Sequence, residues 1–430
     1  MDRKLRVLVI TYLPWRNDTN IGNSYSNIFT GMDDKIEFAH IYFRDGMPEN
    51  SLVHKYFHIS ERELVKSIFD RKPVGKAFYL EDPVNTSKVV FSKGYNRIRR
   101  TRWESLLLAR DMIGRLGRWK SQQLLEFVDE FNPDLIFGTL TYIPVINHIM
   151  IYLKKYLRIP LITYPWDDFY SLKRLSWSPM FWIRILSERQ AIRKTALASE
   201  YLYTITGQMQ KEYERYFHKE CRILYKGYHF EGEPDEKTEC AEPIQMVYMG
   251  NIGSGRWKVL GKLAKAVFEV NKQGKKIELW IYTLSPLNSR IEKELNIENA
   301  SRLMPAVPNE EVLNVMSAAD VLLHVEPTTL KDRLFFRLSF STKIVDYLFC
   351  GRCILAVGGQ TAAMDYLKEN DAAIIEQNEN DYVKMLRRLA DDSQIIIEYG
   401  KKAWKCGKRN HDITMIQNRI YMDFTKIVCK

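Results

Sequence analysis

Short runs of buried-strand character alternate with helical patterns along the whole chain, and this alternation restricts the fold more than any other feature. Such an order calls for parallel sheets joined by crossover helices. In the first half, LRVLVIT (5–11), KIEFAHIYF (35–43), DLIFGTL (134–140), PLITYP (160–165), YLYTIT (201–206) and CRILY (221–225) read as strands, with a long irregular insertion over about 45–120. The acidic, proline-containing, apolar-poor segment EGEPDEKTECAEP (231–243) reads as a linker. The pattern then restarts with IQMVYMGNIGSG (244–255) and continues through KIELWIY (276–282), DVLLHVE (320–326) and RCILAVG (352–358). From Asp391 the chain reads as helical to its end. The expectation is an α/β protein of two domains facing each other across a cleft: 1–230, the linker 231–243, 244–400, and a C-terminal helix at 401–430 crossing back to the first domain. Ligands of such sheets bind beyond the carboxyl ends of the strands.

With 430 residues, 46% of them hydrophobic, the chain can bury two large cores. Its formal charge of +11 favours anionic partners, whether lipid, nucleic acid or phosphorylated substrate. The six cysteines are scattered, as suits a reducing cytosol, and Cys350 and Cys353 are better explained by a helix end and a buried strand than by redox chemistry. The basic, then apolar N-terminus mimics a signal peptide but lacks a small-residue cleavage site, so a first buried strand is expected. Residues 135–153 carry no formal charge, yet Gly138, Pro144, Asn147 and His148 make strand, loop and helix a simpler account than a membrane span. The eight histidines do not cluster at metal-ligand spacing, and no nucleic-acid module is evident. No tightly bound metal and no nucleic-acid partner are expected.

The densest local signal is FSTKIVDYLFCGRCILAVGG (340–359). Ser341 and Thr342 suit a helix start, where free amides favour an anion. Lys343 puts a cation in the first turn, where the helix dipole disfavours it unless an anion is present. Asp346, three residues on, can accept hydrogen bonds from a ribose, and Gly351 stops the helix. The bland alternative is an ordinary capped helix. Gly250, Asn251 and Gly253 follow the first strand of the second domain, with Arg256 and Lys258 available for phosphate oxygens. An ordinary strand-to-helix turn explains them about as well. Asp167 and Asp168, among aromatics at the end of a first-domain strand, suit a general base, against helix capping as the alternative. Gly22 and Asn23, in the loop after the first strand, could hold donor phosphates or the acceptor, or simply be solvated. His324 lies on a buried strand, with a satisfied core histidine as its default.

Between Lys93 and Lys120 the chain carries Arg97, Arg99, Arg100, Arg102, Arg110, Arg115 and Arg118 among Trp103, Leu106, Leu107, Ile113, Leu116 and Trp119. The spacing is roughly helical and suits an amphipathic helix on an anionic bilayer. A second basic and aromatic stretch runs from Leu172 to Lys194, with Trp177, Phe181, Trp182 and Ile183. Solvated charges over core tryptophans are the alternative.

Taken together, the order YMGNIGSGR, then ADVLLHVEP, then FSTKIVDYLFCGRCILAVGG resembles the GT-B glycosyltransferases, in particular the glycosyltransferase family 4-like enzymes of bacterial capsule, O-antigen and exopolysaccharide synthesis. ITYPWDDFYSL followed by SERQAIRKTALASEYLYTIT is similar to a recurring first-domain segment of that family. The resemblance implies two Rossmann-like domains. It implies that Ser341, Thr342 and Lys343 hold the donor diphosphate, Asp346 the ribose, and Gly250, Asn251 and Arg256 the phosphates or sugar. Tyr282 and the loop containing Val307 would flank the base, and Asp167 or Asp168 would take the acceptor proton. The sequence departs from the family where an acid is expected eight residues before Asp346: that position is Leu338, and Glu326 is the candidate substitute.

The implied activity is transfer of a sugar from a nucleoside diphosphate sugar, UDP or GDP, to a hydroxyl of a lipid-linked or growing glycan. It would proceed without a metal, in the cytoplasm, on the inner face of the plasma membrane. The alternatives are a sugar-nucleotide epimerase of the same fold and a non-catalytic membrane-surface protein.

Overall fold

Strands buried on both faces read as near-continuous apolar runs, because helices cover a parallel sheet on either side. The computed structural model describes residues 3–80, 104–232 and 237–429 and divides them into two units, 1–225 with 414–430 and 226–413. The first unit holds strands β1 (Leu5–Ile10), β2 (Ile36–Tyr42), β3 (Val53–His58), β4 (Lys76–Tyr79), β5 (Leu135–Gly138), β6 (Leu161–Thr163), β7 (Leu202–Thr204) and β8 (Cys221–Ile223). They form one sheet in the order β4-β3-β2-β1-β5-β6-β7-β8. β1 sits at its centre, paired in parallel with β2 from Leu5↔Ile36 to Ile10↔Ile41 and with β5 from Val7↔Leu135. The N-terminal segment is thus a core strand, as expected. Residues 135–153 form β5, a loop and the start of the helix Pro144–Leu157, with proline in its first turn. Among the described residues no helix is long and apolar enough to cross a membrane.

The second unit holds β9 (Ile244–Met249), β10 (Ile277–Tyr282), β11 (Ser301–Met304), β12 (Val321–Glu326), β13 (Cys353–Gly358) and β14 (Ile374–Glu376) in the order β11-β10-β9-β12-β13-β14. All of its pairings are parallel. Every residue of β12 and β13 is buried. One apolar cluster gathers Leu263, Val267, Leu279 and Leu323; another gathers Ile344, Leu348, Ile354 and Met364. Alternate residues of β12 and β13 divide between these clusters, as the strand period of two requires.

Three expectations are corrected. The insertion over 45–120 is not irregular throughout: it contains β3, the helix Glu61–Asp70, the antiparallel edge strand β4 and the helix Glu104–Leu116. The divide between units falls after Tyr225 rather than at 230, because Tyr228 pairs with Asp412 and stacks on Phe349, both in the second unit. Of the linker, 233–236 lie outside the described residues. The helical end is not one helix from 401. Gln394–His411 and Ile413–Val428 are separate helices, broken where Asp412 takes an extended backbone and Ile413 N donates to Tyr228 O at 2.9 Å. The last helix belongs to the first unit. Gln417 donates to the carbonyls of Ile28 and Thr30 at 3.0 and 2.8 Å, Asp423 accepts from Tyr203 at 2.7 Å, and Phe424 packs on Phe137.

One buried ionic cluster knits the helices Glu104–Leu116 and Pro179–Ala198 of the first unit. Arg184 donates to Glu104 Oε2 at 2.7 Å and to Glu188 Oε1, and Arg110 donates to Asp111 Oδ1 at 2.7 Å. Glu188 Oε2 and Asp111 Oδ2 are buried without a hydrogen-bond partner. Burial pushes the Glu188 carboxyl up to about 7, against the attraction of Arg184 and with the repulsion of Asp111 added. The folded chain therefore keeps a proton that the unfolded chain releases near its ordinary pKa of 4.5. That stability is fully present below pH ~4.5 and is lost as pH rises towards ~7. Glu188→Gln, neutral throughout, should gain on the natural chain by an amount on the order of 3 kcal/mol between pH 5 and 8. Urea unfolding of both proteins at the two pH values measures it; an unchanged difference would show that Glu188 is ionised in the fold.

Candidate functional site

The helix Thr342–Cys350 opens with Ser341 at its N-cap in an extended conformation, and Gly351 ends it in the left-handed region at φ 60°. The Ser341 hydroxyl makes no capping bond, contrary to the expected cap. Its carbonyl instead accepts from Ile344 N at 3.0 Å. Thr342 is exposed and Lys343 half-buried in this first turn. The Lys343 stem passes over Gly250: a Cβ placed there would lie 3.7 Å from Lys343 Cε and 3.1 Å from the Tyr248 hydroxyl. Gly250 N donates to Tyr282 O at 3.0 Å, so the ends of β9 and β10 and this helix start meet. Tyr248 donates to the Asn251 carbonyl at 2.7 Å, while the Asn251 side chain accepts from Gly253 N at 2.6 Å and shapes the turn. Val307 packs on the apolar cluster containing Met249, Tyr282 and Met316.

Arg256, the first residue of the helix Arg256–Asn271, is held on three sides. Its Nε donates to Val325 O at 3.0 Å, its Nη2 lies 3.5 Å from Glu326 Oε2, and its guanidinium lies 4.6 Å from the Phe336 ring centroid. His324 Nε2 is 3.1 Å from Glu326 Oε1, and both residues are buried at the end of β12. Leu338 is buried in the core, so the acid absent from that position has no counterpart there. Glu326, the candidate substitute, serves Arg256. Asp346 is largely committed elsewhere: its Oδ1 accepts from Lys226 Nζ and from the Tyr228 hydroxyl, each at 2.6 Å. This pair of bonds pins the start of the second unit to the helix Thr342–Cys350. Burial, then the Asp346 charge, drives the Tyr228 phenol well above its ordinary range.

In the first unit the two adjacent carboxylates separate in role. Asp168 is buried, and its Oδ1 accepts from Tyr170 N at 3.2 Å and Ser171 N at 3.0 Å, while Ser171 Oγ donates to Oδ2. It is the acceptor of a tight Asx-type turn. Burial, then its negative charge, drives the Tyr213 phenol well above its usual range. Asp167 is half-buried and accepts from Asp168 N at 3.0 Å. Gly22 and Asn23 lie at the start of the helix Asn20–Phe29, not in an open loop. A Cβ on Gly22 would fall 2.1 Å from Arg16 O, so glycine is required there by close backbone approach. Asn23 donates to Asn17 O at 3.2 Å.

Three half-buried side chains that the sequence does not single out, Tyr12, Glu61 and Tyr142, join Arg110 and Phe169 in the first unit. Beyond the ends of β1 and β5, Tyr12 donates to Glu61 at 2.5 Å and Tyr142 lies 5.4 Å under the Arg110 guanidinium. Tyr142 also meets the ring of Phe169, two residues past Asp167, at 5.2 Å. All five side chains are half-buried. A tyrosine in the loop after a buried strand is the sequence signal for two of them, Tyr12 and Tyr142.

No protein-family model matches the sequence, and no curated protein does either. Solved structures do. HepE of Anabaena, solved with UDP and glucose, is similar over 98% of this chain and 100% of its own, with a TM-score of 0.62 at 11% identity. WaaG, a glycosyltransferase involved in lipopolysaccharide biosynthesis, is similar over 97% of this chain and 99% of its own, with a TM-score of 0.51 at 12% identity. A putative UDP-N-acetylglucosamine 2-epimerase from Listeria monocytogenes is similar over 99% and 98%, with a TM-score of 0.54 at 12% identity. Two parallel-sheet units in one chain, matched end to end by these structures, establish that the chain has the GT-B fold.

Proposed function

We propose that the chain is a glycosyltransferase that moves a sugar from a nucleoside diphosphate sugar to a hydroxyl of a lipid-linked or growing glycan in cell-surface polysaccharide synthesis. The observation that carries this reading is Lys343 in the first turn of the helix Thr342–Cys350, laid over Gly250 at the carboxyl ends of β9 and β10. A cation at a helix start is unfavourable without an anion, and a diphosphate supplies one. Ser341 and Thr342 complete that phosphate cradle. Arg256, fixed by Val325, Glu326 and Phe336, adds a second cation for the phosphates or the sugar, with His324 steadying Glu326. Tyr282 and Val307 flank the base. Asp346 keeps Oδ2 for a ribose hydroxyl, since Oδ1 is taken. UDP as donor is supported by HepE, solved with UDP and glucose.

In the first unit Asp167, rather than the turn-bound Asp168, removes the acceptor proton, and Tyr142, Phe169 and Arg110 receive the acceptor. Two fixed cations and the helix amides stabilise the leaving diphosphate, so the transfer proceeds without a metal. The protein works in the cytoplasm, at the inner face of the plasma membrane. A thermal-shift screen over UDP- and GDP-sugars tests the reading, because a ligand of the folded state raises its stability. One sugar nucleotide should raise the midpoint; no shift with any of them would favour a non-catalytic binding protein.

A further inference from the structure

The helices Glu104–Leu116 and Pro179–Ala198 pack against one another, and each buries charged groups while leaving large apolar ones exposed. The first buries Asp111 and Gly114 while exposing Leu106, Met112 and Leu116. The second buries Arg184, Glu188 and Thr195 together with Ile185, Ala191, Ile192 and Ala196, while Met180, Ile183, Leu186 and Leu197 stay exposed. In the loop leading into it, Leu172 and Leu175 are exposed and Trp177 is fully so. A helix in water ordinarily places its apolar stripe against the core and its charges outward. Here Glu104 and Glu188 are bound to Arg184, and Asp111 to Arg110. These are the only acids of 104–120 and 172–198. Among the described residues, these two segments present outward apolar groups interspersed with Arg115, Arg118, Lys120, Arg193 and Lys194, while Lys173 pairs with Glu212 at 3.2 Å.

We infer that this face of the first unit is a lipid-contact surface that seats on an anionic bilayer, with Trp177, Ile183 and Leu186 entering the headgroup region. The internal ion pairs take the acids of both helices off this face, so the exposed apolar groups stand beside cations, which complements anionic lipid. One expected contact is corrected: Trp119 is buried in the core and faces no lipid; residues 93–103 lie outside the described residues. The inference deepens the membrane part of the proposed function and stands apart from its donor chemistry.

Flotation of the full chain with vesicles of phosphatidylcholine, with and without about one third phosphatidylglycerol, tests it. The chain should float with the anionic vesicles and at least about tenfold less with the neutral ones, the difference shrinking with added salt. Trp177→Ser with Ile183→Ser should lower binding to anionic vesicles about tenfold or more. Arg193→Ala with Lys194→Ala should weaken the preference for them. Equal flotation of the natural chain and the apolar variant would overturn the inference. So would a dimer, seen by light scattering, that the apolar variant abolishes. UDP binding measured on the same samples shows whether each variant is folded, and whether the donor reading fails independently.

Discussion

Replacing Lys343 with alanine is expected to weaken UDP binding by about 10–100-fold, the cost of losing one charged hydrogen bond to phosphate, about 1.5–3 kcal/mol. The ligand-free protein should not suffer. Lys343 stands in the first turn of its helix, where its charge opposes the dipole, so its removal should leave stability unchanged or raise it by about 0.3–1 kcal/mol. This opposite sign separates a ligand-holding lysine from a structural one. A variant that loses stability and keeps UDP affinity would place the phosphates elsewhere.

Asp167→Asn should lower kcat by about 10²–10⁴-fold with UDP affinity intact, as removal of a general base does. The neighbouring change should behave differently. Asp168→Asn disturbs the bonds from Tyr170 N, Ser171 N and the Ser171 hydroxyl around a buried side chain. It should cost stability of about 1–3 kcal/mol. The fraction that folds should still transfer sugar. Transfer rates and unfolding midpoints on the two variants distinguish these outcomes; full activity of Asp167→Asn would put the base on another residue.

Much of the fold was legible because buried parallel strands announce themselves. β13 is a six-residue apolar run, β12 has His324 and Glu326 only towards its carboxyl end, and turn signals bound both, so the pattern places each within a residue or two. β3 and β4 were not: Val53–His58 mixes histidine and lysine into its run, and β4 is a four-residue exposed edge. β11 and β14 are equally short and only partly buried, so little apolar pattern survives in them. Periodicity also shows that a helix has an apolar face but not which way that face points. For Glu104–Leu116 and Pro179–Ala198 the direction follows from where Glu104, Asp111 and Glu188 find their arginines, a tertiary fact.

The candidate site was partly legible for a similar reason. Lys343 beside Gly250 follows from the order of strand, turn and helix, since parallel topology carries both to the same sheet edge. The partners of Asp346 could not be read, because Lys226 and Tyr228 reach it from more than a hundred residues away. The distinct roles of Asp167 and Asp168 depended on a turn that closes only once Tyr170 and Ser171 are in place. Gly22 resembled a phosphate-loop glycine, yet the Arg16 backbone occupies the space that a side chain would need.

The most direct test is a calorimetric titration of the full chain with UDP, repeated on Lys343→Ala. The account predicts saturable binding by the natural chain and a curve at least about tenfold weaker for the variant. Binding of equal strength to both proteins, or none to the natural chain, would contradict it.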